Sequence, residues 1–150
     1  MKPKTAKNIL IALLLFLGIS AIGGGLLLII SPSGKIIGGL PLSILEHSPF
    51  PDFLVPGIIL FLVLGICPCL VCLALIKKPA NRFAEYFNFF KDMHWAWSFS
   101  IYVAFALIIW IQVETIFVRS VGWLQTFYLL YAIPILLVAL LPQVRVIYKK

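Results

Sequence analysis

Charge is what this chain has least of. Only 11% of its 150 residues are Asp, Glu, Lys or Arg, and just five are acidic. A water-facing domain is about half apolar and a quarter charged. Here the apolar share is 63% and the mean hydropathy is +1.12. There is too little polar surface to cover a soluble globule, which excludes a soluble, disordered or fibrous protein. Histidine is nearly missing, with His47 and His94 alone. Three cysteines, all between positions 67 and 72, are an odd number and exclude a secreted disulfide framework. No P-loop, H-E-x-x-H, nucleophile elbow or pair of intramembrane acids occurs, which argues against an enzyme and implies no cofactor. The net charge of +7 comes from Lys and Arg scattered between apolar blocks. No basic stripe or recognition motif accompanies it, so a nucleic-acid partner is not expected.

What the chain does have is four long apolar runs. A bilayer crossing takes about 20 residues at about 1.5 Å each, and the runs at 8–30, 53–76, 95–116 and 121–141 meet that length. The expectation is an all-α, single-domain bundle of four transmembrane helices spanning 1–150. The first run follows Lys2, Lys4 and Lys7 like a signal peptide, but it is too long and lacks a cleavage site, so an uncleaved anchor is expected. Orientation comes from the short connections. Lys2, Lys4, Lys7, Lys77, Lys78, Arg82, Lys91, Arg145, Lys149 and Lys150 fall on one side, Lys35 and Arg119 on the other. Ten against two places both termini in the cytoplasm.

Gly18, Ala21 and Gly25 recur at helical spacing, with Ser20 and Gly24 beside them, and small residues let membrane helices approach closely. Pro68 and Pro134 lie inside spans and predict kinks. In the first outer loop, 41–47 begins with a proline and has an apolar side of Leu42, Ile44 and Leu45, which predicts a short interfacial helix. Asp52 is placed to cap the second span. In the cytoplasmic loop Phe83, Tyr86, Phe87, Phe90 and His94 share one helical face, and Asn81, Glu85, Asn88 and Asp92 the other. With no Gly or Pro from 81 to 121, an amphipathic helix is expected before or continuous with the third span. Its aromatic side, with Lys77, Lys78, Arg82 and Lys91, would meet anionic lipid. Trp95 and Trp97 fit an aromatic belt.

Three stretches carry a resemblance: Ser48-Pro-Phe-Pro-Asp-Phe-Leu-Val-Pro-Gly57 with the Leu-Phe-Leu-Val-Leu-Gly65 run after it, Trp110-Ile-Gln-Val-Glu114, and Trp123-Leu-Gln-Thr-Phe-Tyr128. Over roughly 41–141 the chain resembles small bacterial four-span membrane proteins of uncharacterised role. The resemblance implies a bacterial plasma-membrane location and the four-span layout. It transfers no activity and no site residues, and Cys67-Pro-Cys-Leu-Val-Cys72 departs from its pattern.

Those thiols are the first chemical candidates. On a regular helix Cys69 and Cys72 lie about 60° apart but Cys67 and Cys69 about 160°, so three thiols cannot converge without a break at Pro68. Packing beside a kink is expected instead. The second candidate is an outer polar cluster of Gln112, Glu114, Thr115, Arg119, Gln125 and Thr126, with Glu46 and Asp52 from the first outer loop. A carboxylate at mid-bilayer costs roughly 2.5 kcal/mol or more, so Glu114 should face protein or water. Glu114 and Arg119 diverge by about 140° and should not pair. The expectation is a clasp: Arg119 against Glu46 or Asp52, and Glu114 against Gln125, Thr126, Tyr128 or a ligand. The function expected is that of a non-enzymatic plasma-membrane protein that packs with itself, a partner protein or lipid. Its alternatives are a small transporter or channel subunit, or an outer-face enzyme acting on lipid headgroups through Glu46, His47, Asp52 or Glu114.

Overall fold

The computed structural model describes residues 1–35 and 41–150. In chain order the helices are α1 (Pro3–Ile30), α2 (Leu54–Lys77), the short α3 (Arg82–Tyr86), α4 (Trp95–Val118), α5 (Trp123–Leu140) and the short α6 (Pro142–Tyr148). Four of them, α1, α2, α4 and α5, are long and apolar enough to cross a membrane, which makes this a multi-pass membrane protein. Among the described residues there is no strand, only one isolated bridge between Met93 and Lys149. The termini and the α2–α4 connection share one end, joined there by Lys150 N–H to the Asp92 carbonyl and His94 N–H to the Tyr148 carbonyl. We call it the basic end and its opposite the far end.

α1 lies at the centre, packed on α2, α5 and α6, and Leu10, Leu14 and Leu17 are buried along it. The small-residue face expected from the sequence is the α1–α2 seam: Gly18, Ala21 and Gly25 are buried. A Cβ on Gly25 would lie 2.9 Å from the Gly57 carbonyl, and one on Gly18 3.0 Å from the Gly65 carbonyl. Backbone therefore meets backbone on both helices. Without a hydrophobic drive between helices in lipid, such close approach supplies the attraction through dispersion.

Pro68 acts differently from a simple kink. The stretch Leu60–Ile66 just before it is wound as a π-helix, with Cys67 N–H reaching the Leu62 carbonyl, and regular α-helix resumes at Cys67. Proline has no N–H for the carbonyl four residues back, and its ring crowds that carbonyl. The widened turn shifts the pairing register so that the helix passes through without breaking. α5 continues through Pro134.

Two prolines end helices, and each leaves a carbonyl that a distant side chain serves. Pro79 has no N–H for the Leu75 carbonyl; the Tyr148 hydroxyl donates to it at 2.7 Å. Leu141 precedes Pro142 and is extended (ψ 136°), which ends α5. The Ala139 carbonyl then takes the indole N–H of Trp97 at 2.7 Å. Trp97 is buried, and Trp95 donates its own N–H to the Pro79 carbonyl at 2.8 Å. The two tryptophans expected in an interfacial belt are internal struts. On the far side, Leu42–Leu45 is a single 3₁₀ turn that buries Leu45 alone, where a short interfacial helix was expected.

Candidate functional site at the basic end

At the far end the clasp does not form. Among the described residues the one ion pair is Lys150–Glu85, at the basic end. Arg119 ends α4 in the left-handed conformation (φ 53°) with its side chain exposed. Asp52 lies one residue before the N-cap Phe53 and accepts the Leu54 N–H at 3.0 Å, a local turn where a cap was expected, and Glu46 is exposed. Gln125 turns back to accept the Gly122 N–H, and the Thr115 hydroxyl donates to the Ile111 carbonyl at 2.7 Å. Gln112 is exposed and Glu114 half-buried, neither with a hydrogen-bond partner among the described residues. What joins the first outer loop to α4 is aromatic, Phe50 edge-on to Phe117 at 6.2 Å. The polar groups that bond, Asp52, Thr115 and Gln125, each do so within their own turn.

At the basic end the polar groups converge. Asn81 begins α3 by accepting the N–H groups of Phe83 (3.0 Å) and Ala84 (3.2 Å). The helix stops after Tyr86, so the long amphipathic helix expected from the sequence is replaced by one turn and a loop. Asn88 turns that loop. Its Oδ1 accepts Phe90 N–H at 3.0 Å and the Ser98 hydroxyl at 2.5 Å, while its Nδ2 donates to the Met93 carbonyl at 2.8 Å and to Glu85 Oε2 at 3.2 Å. Asn88 is 0% exposed. Glu85 also takes Lys150 at 2.7 Å and the Trp95 N–H at 3.3 Å. Burial by itself would raise the Glu85 carboxyl, but the bonds from Lys150 and Asn88 outweigh it and hold the group below its ordinary range. His94 caps α4 by accepting Ala96 N–H at 3.2 Å, and burial pushes its imidazole below the ordinary value against the opposing pull of Glu85.

On the polar side Asn88 is buried and Glu85 half-buried in the network, while Asn81 and Asp92 are exposed. The aromatic side faces outward, as a meeting with lipid requires: Phe83 is 76% exposed and Tyr86 79%, with Phe89 beside them at 82%. Phe87, with edge contacts at 5.2 Å to Phe83 and to Tyr86, joins them into one shelf. Phe90 instead packs edge-on against Trp97 at 5.3 Å. The four loop cations divide. Lys78 donates to the Ile147 carbonyl at 2.7 Å and sits 5.0 Å over the Tyr148 ring, and Lys91 donates to the Glu85 carbonyl at 2.7 Å. Lys77 and Arg82 are exposed, with no side-chain partner among the described residues. Beneath the shelf a groove of about 490 Å³ opens between α2 and α4.

Cys67 parts from the other two, as their angles required, while Cys69 and Cys72 both face α1. Cys67 lines that groove, Cys69 lies over Gly18 on the α1 side, and Cys72 reaches the Ile11 carbonyl at 3.5 Å. Among the described residues no three His, Cys, Asp or Glu side chains come close enough to hold a metal ion.

Sequence reasoning missed Asn88, Ser98, Tyr102 and Tyr148. A signal for the first two was present: asparagine makes a turn with its own side chain, so a loop needs neither Gly nor Pro, and Ser98 is a polar residue in the first turn of an apolar span. No protein-family model, curated protein or solved structure matches the chain, so the reading of its function rests on the geometry of the basic end.

Proposed function

We propose that this is a non-enzymatic protein of a bacterial plasma membrane, both termini in the cytoplasm, that works by packing. Its basic end engages anionic lipid of the inner leaflet. The observation that carries this reading is the cap at the basic end: a buried, fully bonded Asn88 holds it together with an aromatic shelf outward, beside the uncommitted cations Lys77 and Arg82. Exposed rings at water's edge are unfavourable on a soluble surface but suit the headgroup boundary, where amphipathic side chains settle. The ten-to-two distribution of Lys and Arg supports the orientation, and the resemblance to small bacterial four-span proteins supports the location.

The test uses the full chain in nanodiscs, of phosphatidylcholine alone or with one-third phosphatidylglycerol. Each basic residue near an anionic surface contributes about 1 kcal/mol. Anionic lipid should therefore raise the unfolding midpoint, and the double variant Lys77→Gln/Arg82→Gln should remove about 2 kcal/mol of that advantage. Equal midpoints in both lipids would sink the reading.

A further inference from the structure

The groove under the shelf has the shape and chemistry of a lipid site. Its walls are Cys67 and Leu70 of α2 and Phe99 and Tyr102 of α4, closed towards the basic end by Phe83 and Phe89. α2 and α4 are both membrane-crossing helices, so whatever fills the space between them is met from the bilayer. A volume of about 490 Å³ falls within the roughly 300–1,000 Å³ of small-molecule sites.

The polar atoms of the wall are already spent. The Tyr102 hydroxyl donates to the Phe87 carbonyl at 3.1 Å and accepts Phe89 N–H at 3.0 Å, and the Trp95 indole N–H goes to Pro79. These bonds turn every heteroatom of the aromatic lining towards backbone and leave ring faces and edges for the occupant. Only the mouth keeps free donors. Asn81, also in the lining, uses Oδ1 to cap α3, and its Nδ2 has no partner among the described residues. Arg82 follows it in the chain, exposed and unpaired among the described residues. Of the two acidic side chains at this end, Glu85 is neutralised by Lys150. An apolar slot with an amide in its lining and an exposed arginine next to that amide in the chain complements a hydrocarbon chain ending in a phosphate, the group that a guanidinium fork binds best.

We propose that this groove binds a single anionic phospholipid, one acyl chain lying between α2 and α4 and the headgroup phosphate at Arg82 and the Asn81 amide. The proposal deepens the lipid-facing reading above and rests on it, but adds something separable from it: a site of one, distinct from a charged surface that attracts many.

The experiment uses the full chain in phosphatidylcholine vesicles containing a trace of phosphatidylglycerol with a diazirine on its acyl chain. After illumination, adducts should map to residues 67–71 and 95–102 and saturate at one per chain. Unlabelled phosphatidylglycerol should compete roughly tenfold better than phosphatidylcholine, the order that one or two basic contacts give. Cys67→Phe, which fills the slot, should cut these adducts at least fivefold, and Arg82→Gln should keep them while erasing the headgroup preference. If Cys67→Phe is not monodisperse, Leu70→Trp replaces it, and the wild-type map decides by itself if neither folds. Adducts spread evenly over other exposed span residues such as Ile109 and Leu137, or unchanged by either filling, overturn the site. Equal competition by the two lipids overturns its headgroup. Dispersed adducts with the nanodisc stabilisation intact remove the groove and leave the surface reading standing. Mapped adducts without that stabilisation remove the surface reading.

Discussion

The two ends of this bundle hold similar polar inventories and use them in opposite ways. At the far end Gln112, Glu114, Thr115, Arg119 and Gln125 lie within fourteen positions of one another, yet those that bond do so within their own turn. At the basic end Glu85, Asn88 and Ser98 also lie within fourteen positions, yet they meet, with Lys150 from the C-terminus, in one network. Proximity in sequence therefore made a poor guide to convergence. What decides it is whether stranded groups need partners: Pro79 and Pro142 leave carbonyls at the basic end, and Asn88 and Met93 are buried in the loop between α3 and α4.

The strongest way to break this contrast is Asn88→Leu. It strands the Met93 carbonyl, the Ser98 hydroxyl and the Phe90 N–H together, at about 1–3 kcal/mol for each buried group. A loss of about 3 kcal/mol or more is expected in reversible unfolding, while Gln112→Leu at the far end should stay within about 0.5 kcal/mol. Next comes Trp97→Phe, which keeps a ring but leaves the Ala139 carbonyl without its donor, for about 1–3 kcal/mol. Trp123→Phe, at a far-end ring 77% exposed, is its matched control and should change nothing measurable.

Smaller is Glu85→Gln. The partly exposed pair with Lys150 is worth about 0.2–1 kcal/mol. The sign of its pH dependence is fixed by the lowered carboxyl: its contribution is complete above the ordinary carboxylate value and is lost as pH falls through the lowered one. Wild type should therefore lose stability in acid, and Glu85→Gln should start lower and lose less. Smallest is Glu114→Leu. With no bonded partner among the described residues there is nothing to strand, so the variant should match wild type within about 0.5 kcal/mol. A loss of several kcal/mol would restore a clasp at the far end.

The spans were legible because twenty apolar residues in a row have few other uses. The α1–α2 seam was legible because Gly and Ala at helical spacing have one obvious purpose in lipid. The cap at the basic end was not, for two physical reasons. Helical periodicity across 81–94 was real, but Asn88 supplied a turn from its own amide and broke the helix that the periodicity implied. The outward aromatic side was expected, but helical periodicity places all the polar residues of 81–94 on one solvated face, and Asn88 is instead buried in the network. The roles of Trp97 and Tyr148 depend on carbonyls left open 42 and 73 positions away, which no local pattern encodes. The far-end clasp failed for the converse reason: each candidate found a nearer backbone partner or none.

The basic end is a folded platform and not a loose loop that lipid orders. Amide hydrogen exchange of the full chain in phosphatidylcholine nanodiscs, without anionic lipid, tests it most directly. The Phe89, Phe90, Met93 and His94 amides, bonded to Tyr102, Asn88, Phe90 and Tyr148, should exchange as slowly as those at the start of α4. The Ser120 and Val121 amides at the far end should exchange within the dead time. Rapid exchange across 87–94, slowed only when anionic lipid is added, would contradict the account.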